Sequence, residues 1–295
     1  MPGSILRFNF SGMTLRYQEF PPSPHLAAHV ECFWAHCADE PVPSYRVLPD
    51  GCADILFERP GGRRGRGLIV VGAMTRAQSI DLPARQFTLG VRFRPTMAAR
   101  FLGVPAPEIV DAMIALADTW GAARTRRLLD QLAESKSPAD CIRRFEAELA
   151  PPPALDPAEK AIAWLVESRG QISVEDLADA ASLSPRQFRR ICLERSGLTP
   201  KRLARILRFR HATTHATAQA AAHAQRDAAQ AAHQLHQRGW ADIALECGYY
   251  DQAHLINEFR EFSGLAPSEF AAASPAPTAP DLAAAAAPNR APAAG

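Results

Sequence analysis

The chain has 295 residues, 22% of them charged and 47% hydrophobic, with a formal net charge of +2. That is long enough for two ordinary domains and excludes wholesale disorder. No apolar run approaches the roughly 18 residues of a spanning helix, and the first residues lack a signal-peptide core. The expected location is therefore the cytoplasm, with no membrane partner.

In chain order, residues 45–94 read as strands. ADILF, GLIVVG and QFTLGVRFRP are divided by turn chemistry at Pro49-Asp50-Gly51 and Pro60-Gly61-Gly62. In the last of these segments Phe87, Leu89, Val91 and Phe93 alternate with Thr88, Gly90, Arg92 and Arg94, so one face is apolar and the other carries two arginines. Arg92 and Arg94 are the candidate contacts for an anionic effector, with a solvated strand face as the plainer reading. From Met97 to Leu149 the spacing turns helical, and Leu128, Leu129, Leu132, Ile142, Phe145 and Leu149 form apolar stripes that are candidates for pairing two chains. Three prolines at 151–153 end this region, because consecutive prolines cannot continue a helix. The division expected is an extension over 1–16, a β-rich sensing or oligomerising domain over 17–150, a linker over 151–157 and a helical domain over 158–271. An Ala- and Pro-rich tail expected to be disordered follows over 272–295. The fold class is α+β, with a β-sandwich or cupin-like first half and an all-α second half.

The near-neutral charge hides a cluster. Arg186, Arg189, Arg190, Arg195, Lys201, Arg202, Arg205, Arg208 and Arg210 stand within 27 residues, from Ser184 to Arg210, opposed only by Glu194. Such clustering is the footprint of contact with a polyanion, against the alternative of a solvated helix face. The segment SVEDLADAASLSPRQFRRICLERSGLTP explains how the cluster would be presented. Ser173 is an N-cap for a short helix with Leu177, Ala178 and Ala181 inward. Ser184-Pro185-Arg186-Gln187 then combines an N-cap, a proline at the first helical position and a capping-box glutamine. Phe188 and Cys192 face inward while the arginines face out, and Gly197 ends the helix. Two short helices with arginines near the start of the second satisfy the requirements of a helix-turn-helix.

The unit recurs. Ser196-Gly197-Leu198-Thr199-Pro200 reappears as Ser263-Gly264-Leu265-Ala266-Pro267, and Phe188 and Cys192 match Leu255 and Phe259, all at an offset of 67. With DIALECGYYDQAHLINEFREFSGLAPSEF as its second half, this arrangement resembles the C-terminal DNA-binding domain of the AraC/XylS family of bacterial transcription regulators, over roughly residues 158–270. The resemblance implies double-stranded DNA as a partner, second helices in successive major grooves, RNA polymerase as a further partner, and a homodimer. YQEFPPSPHL, VLPDGCADILF, VGAMT and LGVRFRP resemble an uncharacterised β-rich domain that often precedes that module. This second likeness starts at Tyr17, which makes Met13 a candidate start.

One departure from the family stands out. Within HATTHATAQAAAHAQRDAAQAAHQLHQRG roughly fifteen additional residues intervene, which at about 1.5 Å each would displace the second unit by over 20 Å if they simply lengthened the connecting helix. A protruding hairpin or loop over about 212–238 is expected instead. The base-edge candidates are Arg186, Gln187 and Arg190, with Arg189 beside them, since arginine pairs bidentately with guanine and glutamine with adenine. Arg195, Lys201, Arg205 and Arg208 are the phosphate candidates. The second unit offers Gln252, His254, Asn257 and Arg260, with Glu258 and Glu261 weakening its attraction to phosphate.

His211 and His215 have metal-ligand spacing, but no cysteine or carboxylate pattern in the sequence completes a site, so no metal or other cofactor is expected. Six cysteines without any C-x-x-C pair read as buried thiols. Asp50, Cys52 and Asp54 read as a turn leading into a buried strand, so no enzyme is expected. An architectural DNA-binding protein, or an enzyme fused to a DNA-binding module with a reactive Cys52 or Cys32, are the alternatives.

Overall fold

The computed structural model describes residues 17–37, 39–59, 67–149, 154–224 and 239–273, with side chains omitted over 216–224. The extension at 1–16, the glycine turn at 60–62, the prolines at 151–153, the later part of the insertion and the tail from 274 lie outside these residues.

The first half is built on strands β1 (Tyr17–Phe20), β2 (Val30–His36), β3 (Val42–Val47), β4 (Ala53–Glu58), β5 (Gly67–Val71), β6 (Gln78–Leu82), β7 (Thr88–Phe93) and β8 (Met113–Ala115). Six of them form a sheet in the order β1-β2-β7-β4-β5-β8, every neighbour antiparallel, and β3 pairs with β6 alone. Alternation along the central strands decides which face is which. Ile55, Phe57, Leu89, Val91 and Phe93 are fully buried on one face. They pack under α1 (Ala98–Leu102), α4 (Ala122–Glu134) and α5 (Pro138–Glu148), with α2 (Ala106–Ile109) and α3 (Ala117–Trp120) as short connecting turns. Leu128, Leu132, Ile142, Phe145 and Leu149 belong to this same core. The apolar stripes that sequence offers for chain pairing are thus mostly consumed within one chain, because the sheet's own apolar face has to be covered. The opposite face looks across a cavity toward β3 and β6.

The second half comprises α6 (Pro157–Glu167), α7 (Val174–Ala180), α8 (Pro185–Ser196), α9 (Pro200–Ala224), α10 (Trp240–Glu246), α11 (Gln252–Ser263) and α12 (Pro267–Ala273). Its core also takes in Leu48 and Ala73 from the first half. Ala77 N–H donates to the Phe262 carbonyl at 2.7 Å, and Arg202 donates to the Thr75 carbonyl at 2.8 Å, so the halves are joined by backbone as well as side chains. At Gly51, where φ is +82°, an added Cβ would stand 2.7 Å from Leu203 Cδ1, which shows how closely this turn approaches α9.

The connecting helix α9 is 25 residues long and continuous through the first part of the insertion. It does not carry the second unit away with it. Phe259 and Phe262 of α11 meet Phe209 with ring centroids 5.0 and 5.2 Å apart, so the second unit folds back against the earlier turns of α9 while the helix runs on to Ala224. Among the described residues no helix is long and apolar enough to cross a membrane.

Candidate nucleic-acid interface

The two helical units repeat in atomic detail. Ser184 Oγ accepts from Gln187 N–H and Asp251 Oδ1 accepts from His254 N–H, capping α8 and α11 at equivalent positions. Both helices end at a left-handed glycine, Gly197 with φ 72° and Gly264 with φ 75°. Beside each glycine a serine hydroxyl bonds back to the helix: Ser196 Oγ to the Cys192 carbonyl at 2.7 Å and Ser263 Oγ to the Phe259 carbonyl at 2.6 Å. Each serine also accepts from the backbone N–H of the leucine two residues on. The preceding helices repeat with a shorter offset. Leu183 N–H donates to the Ala178 carbonyl in the first unit, and Tyr249 N–H to the Ala244 carbonyl in the second. The left-handed turn residue is Ser182 (φ 55°) in one and Gly248 (φ 76°) in the other. One additional residue therefore lies in the second turn, between Gly248 and the Asp251 cap.

The basic cluster divides into two groups. Arg186, Gln187, Arg189 and Arg190 are exposed along the first turns of α8. Arg189 faces Glu175 at 3.3 Å and Arg190 faces Glu194 at 2.8 Å, both exposed pairs of the kind worth little in water. Gln187 Oε1 accepts from the Ser184 N–H at 3.0 Å, which completes the capping box and commits that oxygen to the helix start. The remaining arginines turn inward. Arg195 pairs with Asp156 and lies 3.5 Å from buried Glu159, which Arg100 of the first half also grips at 2.6 Å. Arg205 Nε donates to Glu258 at 2.6 Å and its Nη2 pairs with Glu261, which Arg202 also holds. Arg208 donates to the Gly170 carbonyl at 3.0 Å, and Arg210 bonds Glu31 of β2 at 2.7 Å. Lys201 is exposed. Three residues expected to meet phosphate are therefore engaged in internal contacts, Arg195 and Arg205 with acidic partners distant in sequence and Arg208 with a backbone carbonyl. By the same pairing, the acidic charges on α11 are balanced by α9.

On α11, Asn257 and Arg260 are exposed and Gln252 and His254 half-buried, His254 standing 3.4 Å from Glu258. Tyr250, immediately before the Asp251 cap, is 89% exposed while its neighbour Tyr249 is buried. Sequence gives no way to tell these adjacent tyrosines apart, since the offset of 67 would set Tyr250, not Tyr249, at the position of Leu183, and only the backbone pairing of the turn places Tyr249 there.

The cavity between the two sheets measures about 160 Å³ and is lined by Tyr17, Trp34, Tyr45, Leu56, Ile80 and Arg92 among others. Arg92 is buried, 3.4 Å from Asp54, 3.5 Å from Asp50 and 3.9 Å from Glu19, so it is not a solvated strand residue. Arg94 lies past the strand end and donates to the Ala27 carbonyl at 3.0 Å, outside the lining. Trp34 Nε1 donates to Asp54 at 2.9 Å, and the indole lies directly over Gly90, where a Cβ would stand 2.1 Å from the ring. Cys52 Sγ donates to Glu31 at 3.1 Å, which connects the lining to the Glu31–Arg210 pair. Burial pushes the Cys52 and Cys32 thiols up, the reverse of an activated nucleophile, and all six cysteines are buried and free.

Residues 18–115 match the family described as Domain of unknown function (DUF6597). That match lies within the first half of the chain. No curated protein sequence matches the chain. Among solved structures, similarity is found to the DNA-binding domain of AdpA, a global transcriptional factor, in complex with a target DNA. That likeness is at 25% identity over 40% of this chain and 93% of that one, with TM-score 0.32. ToxT from Vibrio cholerae bound to (E)-4-(8-methylnaphthalen-1-yl)but-3-enoic acid is similar at 12% identity over 87% of this chain and 98% of that one, with TM-score 0.39. Apo ToxT K231A from the same organism is similar at 12% identity over 81% and 96%, with TM-score 0.38. AdpA and ToxT are AraC-family regulators. In this chain a helical region follows the segment that matches DUF6597.

Proposed function

We propose that this chain is a sequence-specific DNA-binding transcription regulator of AraC type, whose helices α8 and α11 read two major-groove segments and whose DUF6597 domain binds a small effector. The observation that carries the reading is the duplicated helix-turn-helix, its second helices capped at equivalent positions, with Arg186, Arg189 and Arg190 exposed while the arginines behind them are paired internally. Arg186 and Arg190 are assigned to base edges and Lys201 to phosphate. Gln187 remains a base candidate through its amide N–H₂ alone. On α11 the assigned contacts are Gln252, His254, Asn257 and Arg260, with Tyr250 added from its exposure. Double-stranded DNA is the partner, and the family resemblance extends the reading to RNA polymerase, to a homodimer and to the cytoplasm.

The effector is assigned to the cavity. Glu19, Glu31, Asp50 and Asp54 outnumber Arg92 and Arg210 in this network. An effector with an apolar body and a neutral or cationic polar end therefore suits the site better than the anion that Arg92 and Arg94 alone would suggest. Cys52, Glu31 and Arg210 form a contiguous path from the lining to α9, the helix that joins the two units.

Selection of bound genomic fragments at two salt concentrations tests the reading, comparing the natural chain with Arg186→Ala/Arg189→Ala/Arg190→Ala. The natural chain is expected to enrich a motif with two half-sites and the triple variant to lose it. Arg190→Ala alone is expected to cost about 1–3 kcal/mol at one base position. Binding that fades with salt without enriching any sequence in either protein would overturn specific recognition.

A further inference from the structure

A second site lies where the connecting helix meets the second unit. His211 and His215 stand one turn apart on α9, and Cys247 caps the C-terminus of α10. The ligand atoms of the three residues all lie within 4.8 Å of one another, and the two histidine Nε2 atoms are 2.9 Å apart. Glu246 Oε2 lies 3.5 Å from His215 Nδ1. We propose that His211, His215 and Cys247 bind one Zn²⁺ ion, or a cation of similar softness, which pins α10 to α9, with Glu246 holding His215 in the tautomer that leaves Nε2 to the metal.

The chemistry of the donor set selects the ion. Two imidazoles and a thiolate suit zinc and other borderline or soft cations, whereas calcium and magnesium require oxygen. Histidines at i and i+4 present their rings on one helix face, the spacing used by helical zinc sites. With metal–nitrogen bonds of about 2.0–2.1 Å and a metal–sulfur bond of about 2.3 Å, tetrahedral ligand atoms stand about 3.3–3.7 Å apart. The three groups therefore need adjustments of about an ångström. Two Nε2 atoms at hydrogen-bond distance share either a proton or a cation, since two bare lone pairs at that range repel. The carboxylate on Nδ1 is the outer-shell partner that metal-binding histidines usually have. Three protein ligands leave a fourth position for water or a small ligand.

One neighbour opposes the ion. The Arg169 guanidinium contacts His211 Nε2, and Arg169 is exposed, so its side chain has to swing into solvent when a cation binds. This gives the proposal a sign that a purely structural histidine pair does not share. Removing Arg169 is expected to tighten metal binding by roughly tenfold, the scale of one screened charge repulsion.

The test uses the full chain, free of any affinity tag, stripped with chelator and titrated first with Co²⁺ and then with Zn²⁺. One equivalent of cobalt is expected to give a sulfur-to-cobalt charge-transfer band that zinc displaces. Cys247→Ser is expected to abolish the band and Arg169→Ala to strengthen binding. Because Cys247 is buried and its variant can misfold, His215→Ala at a half-buried position provides the second arm: zinc is expected to raise the melting temperature of the natural chain but not of this variant. Absence of the band, its survival in Cys247→Ser, or a zinc-induced shift that persists in His215→Ala would each overturn the proposal. The last two outcomes would mean adventitious binding by other side chains.

Discussion

Asp54 projects from β4 into the cavity between Arg92 and Trp34, with Asp50 close behind it. Burial raises its carboxyl pKa to about 6, Arg92 pulling it back down and Asp50 pushing it up again. An acid whose folded pKa is raised contributes stability that is complete below its unfolded value, here 3.8, and is lost as pH rises through about 6. The natural chain is therefore expected to lose on the order of 2 kcal/mol between about pH 4 and pH 7 relative to Asp54→Asn, which retains the acceptor for Trp34. Denaturant melts of both proteins across that range check this. A constant difference between them would assign the proton to another carboxylate. Sequence marks Asp50, Cys52 and Asp54 only as a turn and strand, because the group that makes them a network, Arg92, arrives from β7 in a different part of the chain.

The two helix-turn-helix units show what was legible at the level of elements. Caps, prolines and glycines act within a few residues, so Ser184, Pro185, Gln187 and Gly197 define α8 from sequence alone, and Asp251 and Gly264 do the same for α11. The change of offset inside the second turn was not legible, because it depends on which residue takes the left-handed conformation. Ser182 occupies that position at φ 55° where the second unit has Gly248. A side chain there costs roughly 1–2 kcal/mol, partly offset by the greater freedom of glycine in the unfolded chain. Ser182→Gly, at an exposed site, is expected to stabilise the protein by about 0.5–1 kcal/mol in chemical denaturation. A loss of stability would mean that the Ser182 side chain makes a contact worth more than its backbone strain. The pairing of Arg205 and Arg202 with Glu258 and Glu261 was equally hidden. Charge counted along the chain assigns the arginines to DNA and the glutamates to a weak second unit, and only packing of α11 on α9 lets them satisfy one another.

Across the whole molecule, the Glu31–Arg210 pair is the polar contact by which β2 is held against the connecting helix, and it lies one hydrogen bond from the cavity through Cys52. Burial alone would raise the Glu31 carboxyl, yet Arg210 and then Arg92 bring its pKa down to about 2. A depressed acid contributes stability that is present above its unfolded value of 4.5 and is lost as pH falls toward about 2. Arg210→Ala leaves the part-buried Glu31 without its main partner, and the expected cost is about 2 kcal/mol, since removing one member of a largely desolvated pair strands the other charge. Adding Glu31→Gln to that variant removes the stranded charge and is expected to recover a large part of the loss, which a simple packing defect at Arg210 would not allow. The acid limb of the stability curve separates the two explanations further. The natural chain should lose stability between about pH 4.5 and pH 2, and Glu31→Gln should lose less over the same range. If the single and double variants are equally unstable and their acid limbs coincide with that of the natural chain, the pair does not hold the halves together, and the path from cavity to α9 has to run through the Leu48 and Gly51 contacts instead.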